Sequence, residues 1–362
     1  MDSKVKVLIM DFGGSAIKFC LMDENGNQEG RDDIVAPRNI PDFDAAVKEI
    51  CGRFEGQYEG ISVSFPGFVQ LDGMLTGGGA YPFFHGTNVL EHLKELSGCD
   101  KVLLENDGKC GALAEAFDGP LKDGSSGVVI ILGTGVAGGL IMDRKLIKNK
   151  HCTAGELSGF CFDPQKIGVN AMAYSSVSGL TSMVAMAKGQ LDEQTAGMMS
   201  LYLGIPIEKR ETDHKYDGVH FDGKKVFEMI DEGDPDALAA YEKLLRGTAM
   251  LIYNMQVVFA PDKICIGGGI TRQPRLVPDI KAKYHEILFE NISPAMKAYL
   301  GDKADQVMDC NDADIVSCMH TGDANQYGSS GASFFSVLQP GIRAEDNAAR
   351  SISARLIGFL II

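Results

Sequence analysis

Two apolar runs in this chain break at glycine and turn back in nearly the same way. The first is "KVLIMDFGGSAIKFCLMD" at 6–23 and the second "VVIILGTGVAGGLIMD" at 128–143. Each reads as strand, glycine turn, strand, and the turns begin at Gly13 and Gly133, about 120 positions apart. A chain that repeats so specific a unit is built twice over, and this limits its fold more than any bulk property. At 362 residues it is also too long for one simple core, so two domains are expected.

The segments between the hairpins alternate strand and helix. "DFDAAVKEICGRF" (42–54) has helical spacing with Asp42 as candidate N-cap. "GISVSFPG" (60–67) reads as a strand ending at Pro66-Gly67. "NVLEHLKELSG" (88–98) reads as a helix capped by Asn88 and stopped by Gly98. "KVLLEND" then runs as a strand straight into the helical "GKCGALAEAF" (108–117). After the second hairpin, "DPDALAAYEKLLRGTAMLIYNMQVVFA" (234–260) reads as a long helix capped by Asp234 and halted by Pro261. "DKICIGGGI" (262–270) follows as a strand ending in three glycines, and "NQYGSSGASFFSVL" (325–338) reads as a close-packed helix. The pattern is α/β. It predicts an N-terminal domain over 1–117, completed by 339–362. A larger C-terminal domain covers 118–338, with a polar insertion near 188–222.

Three glycine-rich turns, at 13–14, 133–139 and 267–269, each follow an apolar strand. Each could be an ordinary tight turn. Together they suggest bare backbone N–H groups gathered around a polyphosphate, with Ser15 and Thr134 adding hydroxyls. Asn106 and Asp107 stand at a strand-to-helix junction. Asp107 could merely cap the helix, or it could take a proton from a substrate hydroxyl attacking a γ-phosphate.

Charge and cysteine usage exclude other classes. A net charge of −15 repels phosphate backbones and anionic membranes, so neither nucleic acid nor membrane is an expected partner. No basic leader or bilayer-length apolar run is visible. Nine cysteines without disulfide-like spacing read as reduced thiols, and the expected location is cytoplasmic.

The motifs "DFGGSAIK", "FPG", "ENDGKCGALAE", "GTGVAGG", "AGELSG" and the 232–270 segment, with "GDANQYGSSGASFF", resemble in order the ROK family of repressors, open reading frames and sugar kinases. The resemblance implies the actin-like ATPase (ribonuclease H-like) fold, with two α/β domains flanking a nucleotide and sugar cleft. It implies an ATP-dependent, glucokinase-like sugar kinase using Mg2+, working as a homo-oligomer, a dimer. Asp11, Gly13, Gly14, Ser15 and Lys18 would form the first phosphate segment, with Asp11 meeting magnesium through water. Gly133, Thr134 and Gly135 would form the second segment, and Gly267, Gly268 and Gly269 would line the adenosine side. Gly67, Asn106, Asp107 and Glu156 would hold the sugar, with Asp107 as catalytic base.

The chain departs from the family pattern at the zinc segment. "GELSGFC" carries Phe160 where the usual histidine would follow Gly159, and of the cysteine cluster only Cys161 remains. Zinc is not expected. The glutamate that usually follows that segment aligns with Ala171, so the sugar pocket differs from a typical glucokinase. A kinase for a hexose, N-acyl hexosamine or glycoside is the leading reading, and a non-catalytic sensor is the alternative. A family regulator would carry a helix-turn-helix before the first phosphate segment, for which the ten residues ahead of Asp11 leave no room.

Overall fold

The computed structural model describes residues 5–23, 26–149, 151–166, 168–191, 196–197, 214–291 and 294–320. Most of the 188–222 insertion, the helix expected at 325–338 and the tail from 339 lie outside these residues.

The first sheet is built from β1 (Lys6–Phe12), β2 (Ala16–Asp23), β3 (Gln28–Val35), β4 (Ile61–Phe65) and β7 (Val102–Asn106). Its order is β3-β2-β1-β4-β7. The hairpin strands β1 and β2 are antiparallel, whereas β1, β4 and β7 run parallel. Parallel neighbours need helical crossovers, supplied by α1 (Ile40–Arg53) and α2 (Val89–Ser97). α3 (Asp107–Phe117) follows β7 without a break.

Side-chain alternation gives the sheet two different faces. Leu8, Met10 and Phe12 of β1 join Ile17, Phe19, Ile61, Val63 and Phe65 in an aromatic-rich core with Phe43, Tyr81 and Phe84. The opposite parity, Val7, Ile9, Cys20 and Met22, packs with Leu103 and Phe117 of α3. Asp11, Ser64 and Glu105 share that second parity, so the sheet turns polar on the α3 side at its C-terminal edge.

A second sheet repeats the plan. It comprises β8 (Gly127–Leu132), β9 (Val136–Met142), β10 (Lys145–Leu146), β11 (Lys263–Gly267) and β12 (Ile315–Ser317), in the order β10-β9-β8-β11-β12. Its hairpin β8–β9 takes the place of β1–β2, and the parallel pair β11–β12 that of β4–β7. The echo in the sequence is therefore a duplicated sheet topology. The helices Pro235–Phe259 and Leu276–Asn291 flank β11 in sequence, as α1 and α2 flank β4. A short antiparallel pair, β5 (Met74–Leu75) with β6 (Thr87–Asn88), stands apart.

Asn88 and Gly98 bound α2 as the sequence suggests: Asn88 accepts from Glu91 N–H, and Gly98 takes the left-handed conformation at φ 64°. Asp234 caps Pro235–Phe259 through the amides of Asp236 and Ala237. The expected cap of α1 needs correction. The helix starts earlier, at Ile40, and its N-cap is Asn39, whose side chain accepts from Asp42 N–H at 2.9 Å. Asp42 sits in the first turn and accepts from Asn39 Nδ2 at 2.8 Å, so the two share one reciprocal cap.

Two compact units partition the described residues. One draws on Met1–Val129 and Gly138–Gly155, the other on Ile130–Ala137 and Glu156–Thr321. Among the described residues no helix is long and apolar enough to cross a membrane.

Candidate active site

Register decides what meets at the polar edge of the first sheet. Asp11 is the Cα partner of Ser64, and Ser64 of Glu105. With strands about 4.8 Å apart, three polar side chains stand abreast within roughly 10 Å. Asp11 is buried and accepts from Ser64 Oγ at 2.8 Å. Glu105 accepts from the Lys148 ammonium at 2.7 Å. Behind them Cys110 is fully buried. Burial first, then the carboxylates of Glu105, Asp11 and Asp107, push its thiol well above the ordinary value, so it stays protonated.

The β1–β2 turn closes through a bond from Gly13 N–H to the Ala16 carbonyl at 2.9 Å. Gly14 and Ser15 form its exposed tip. The turn is braced on both sides. Tyr81 donates its hydroxyl to the Gly13 carbonyl at 2.9 Å, and Ala36 N–H donates to the Ser15 carbonyl at 3.0 Å. Burial, reinforced by the charge of Asp11, raises the Tyr81 hydroxyl and keeps that donor protonated. Lys18 lies directly across the ladder from Asp11.

At the end of β7 the junction separates two roles that the sequence left open. Asn106 caps α3, its Oδ1 accepting from Lys109 N–H at 3.1 Å. Asp107 is the first helical residue, not the cap. Its Oδ1 accepts from Asn106 Nδ2 at 3.0 Å and from Gly108 N–H at 2.8 Å, which fixes the plane of the carboxyl group. Asn106 Nδ2 also donates to the Gly67 carbonyl at 3.0 Å. Gly67 has φ 109°, and a Cβ there would stand 2.8 Å from the Gly77 carbonyl oxygen, so only glycine fits. The first unit thus brings together Asp11, the Gly13–Ser15 turn, Gly67, Asn106 and Asp107.

The second unit carries the other glycine segments. Gly133, Thr134 and Gly135 form the β8–β9 turn, closed by Gly133 N–H on the Gly135 carbonyl at 2.9 Å, with Thr134 exposed at its tip. The amide of Val177, first residue of the helix Val177–Ala187, donates to the Gly133 carbonyl at 2.8 Å. Gly268 has φ 100°, and a Cβ there would lie 2.2 Å from the Leu132 carbonyl oxygen. The third glycine segment is therefore pressed against the strand that ends in the second. Gly267 faces Cys318, whereas a Cβ on Gly269 would meet nothing within 4 Å. Glu156 opens a short 3-10 turn, Leu157–Gly159, in the same unit.

Phe160 lies tilted against Phe162, with centroids 6.1 Å apart, and its carbonyl accepts from Ala171 N–H at 2.9 Å. Ala171 is fully buried. Cys161 is exposed, and no group of three or more His, Cys, Asp or Glu side chains among the described residues is placed to hold a metal ion.

The ROK family model matches residues 7–306. The beta-glucoside kinase of Klebsiella pneumoniae is 26% identical over 275 residues, covering 75% of this chain and 84% of that enzyme. The beta-glucoside kinase of Listeria monocytogenes is 27% identical over 278 residues, covering 76% and 87%. A ROK family glucokinase from Streptomyces griseus, solved with glucose and AMPPNP, shares the fold at a TM-score of 0.68 and 19% identity. That comparison spans 90% of this chain and 98% of that one. The two α/β sheets are those of the actin-like ATPase fold. The chain belongs to the ROK family.

Proposed function

We propose that Asp107 is the general base of this chain, an ATP-dependent sugar kinase, and that its acceptor is a hexose or hexose derivative. The observation that carries the reading is the junction of β7 and α3, where Asn106 takes over the capping and Asp107 is left as an oriented carboxylate. In the reaction the acceptor oxygen forms a bond to the γ-phosphorus while its proton moves to the Asp107 carboxylate. The bond from γ-phosphorus to the bridging oxygen breaks, and ADP leaves. Gly67, Asn106 and Glu156 bind sugar hydroxyls in this reading.

Exposed amides at Gly14 and Ser15, with the Ser15 hydroxyl and Lys18, suit phosphate oxygens. Gly133, Thr134 and Gly135 offer the same chemistry in the second unit, and Gly267–Gly269 line the adenosine side. The donor set also fits magnesium. That ion takes one or two carboxylates plus substrate phosphates and keeps several waters, and Asp11 is one buried carboxylate beside a phosphate-type turn. When bound, magnesium offsets the charge of the triphosphate. No structural zinc enters the reading, since Cys161 is the one cysteine of the usual cluster retained.

An ADP-release screen over a sugar panel with Mg·ATP, run on the wild type and on Asp107→Asn, is the test. Loss of the base is expected to lower kcat by about 10²–10⁴-fold while ATP binding stays near wild type. Near-wild-type turnover in a folded Asp107→Asn protein would exclude Asp107. Sugar binding without any turnover by the wild type would favour the sensor, a reading suited to the altered pocket around Phe160 and Ala171.

A further inference from the structure

The buried thiol of Cys110 feels three carboxylates, Glu105, Asp11 and Asp107. Asp11 and Asp107 have roles in the reading above; Glu105 has none. Both of its oxygens are nevertheless engaged. Oε1 accepts from the Asn106 N–H at 2.9 Å, and Oε2 accepts from the Lys148 ammonium at 2.7 Å. Lys148 is 24% exposed and Glu105 19%, so water screens the pair only in part. From Glu105 the hydrogen bonds run on without a gap. Its carboxylate holds the Asn106 amide, and the Asn106 carboxamide meets Lys109 N–H, the Gly67 carbonyl and Asp107 Oδ1. The series begins at a cation and ends at the carboxyl group assigned as base.

The loop that delivers Lys148 is tied down on either side of it. Ile147 N–H donates to the Leu140 carbonyl of β9 at 2.8 Å. Asn149 accepts from Cys152 N–H on its carbonyl at 3.0 Å and from Thr153 N–H on its Oδ1 at 3.1 Å. Gln70, in the arm of the first unit that runs from Gly67 to Asn88, donates Nε2 to the His151 carbonyl at 3.0 Å. Cys152 is buried and takes φ 53°, a left-handed conformation that a residue with a Cβ disfavours. Such strain persists only where the surroundings over-determine the backbone. Burial raises the Cys152 thiol, and both charges of the Lys148–Glu105 pair act on it as well. A lysine on a loose surface loop gains little from an ion pair, because it must give up its freedom to form one. Lys148 has much of that freedom removed in advance.

We propose that Lys148 is a positioning residue for phosphoryl transfer, its ammonium fixing Glu105 against the Asn106 amide and so holding the Asp107 carboxyl group in place. This rests on the reading of Asp107 as general base. Without the cation, the Glu105 carboxylate is a part-buried charge that has lost its counterion. It then turns toward water and releases the Asn106 amide. A shift of about 1 Å in a reacting group can cost on the order of 10²-fold in rate.

The test measures kcat and KM with the sugar found in the screen. Lys148→Met should lower kcat by about 10–10²-fold and leave KM for Mg·ATP near wild type. Lys148→Arg, which keeps the charge, should recover most of the loss. Adding Glu105→Gln to Lys148→Met should also recover activity, since an amide oxygen accepts the Asn106 N–H without needing a counterion. An unchanged kcat in folded Lys148→Met, or no recovery in either rescue, would overturn the proposal. If Asp107→Asn turns over like wild type, or the wild type turns over no sugar, the reading of Asp107 as base fails by itself. Amide hydrogen exchange by NMR then decides the positioning. Faster exchange at Asn106, Gly108 and Lys109 in Lys148→Met, and not in Lys148→Arg, supports it, and unchanged protection refutes it.

Discussion

Gly268 and Gly269 are neighbours with opposite requirements, and one methyl group separates them. At 268 a Cβ would collide with the Leu132 backbone, and φ 100° already excludes ordinary side chains. Gly268→Ala should cost on the order of 1–3 kcal/mol from backbone strain alone, with the collision added. Gly269→Ala should unfold in urea close to the wild type, because the space around it is open. Equal midpoints for the two variants would contradict the packing of β11 on β8. The sequence presents both residues as members of one glycine run, and only the fold tells them apart. Asp107 is the opposite case. Its place after "KVLLEN" marks it in the sequence, and only the Asn106 hydrogen bonds take the capping role away from it.

At the scale of elements, local chemistry was legible wherever a cap is made by a single residue. Asn88, Gly98 and Asp234 act as the sequence suggests because each satisfies a helix end within its own turn. The start of α1 was misread because Asn39 and Asp42 share the cap, and the proline at 41 moves the start forward. The arm from Gly67 to Asn88 was not legible at all, since its strands are two residues long and held by distant partners. A second feature hidden from sequence is Lys188, buried at the end of the helix Val177–Ala187. Its ammonium donates to Asp234 at 2.7 Å and Asp236 at 2.9 Å, and Tyr216 donates to Asp234 at 3.2 Å. Burial works to raise the Asp234 carboxyl, but Lys188 and the Ala237 amide outweigh it and hold the group below its ordinary value of 3.8. A depressed carboxyl stabilises the fold above its unfolded value, and that contribution is lost as the pH falls through the folded one. Lys188→Met should therefore lose about 3 kcal/mol near neutral pH. The gap to wild type should narrow in denaturant titrations below about pH 4. A gap independent of pH would mean that Lys188 acts through packing alone.

For the whole molecule, the repeated hairpin was the most legible feature, because strand–glycine–strand is a local pattern whose two copies can be compared directly. The shared order of the two sheets follows from that comparison, whereas the unit limits depend on contacts that no local pattern encodes. In the proposed reaction ATP and sugar meet at the transferred phosphate, so occupancy by one ligand should alter the affinity for the other. Calorimetric titration of a non-hydrolysable ATP analogue, with and without the substrate found in the screen, should show tighter binding in its presence. Thermodynamic reciprocity requires the analogue to tighten the sugar by the same factor. Strictly independent affinities would separate the two sites energetically.

The hairpin tips are where the two copies have parted. The first closes from Gly13 to Ala16 and keeps two residues at its tip; the second closes from Gly133 to Gly135 and keeps one. If the halves descend from a single ancestral unit, duplication preserved the order of five strands while the loops were free to drift. Inheritance has then been strict in the scaffold and loose at the fingertips. Each hairpin joins its strands through three residues, so a transplant of either tip onto the opposite hairpin would keep the length of the turn and exchange only its closing bond, and an ancestor rebuilt from the two halves would have to choose between the two closures.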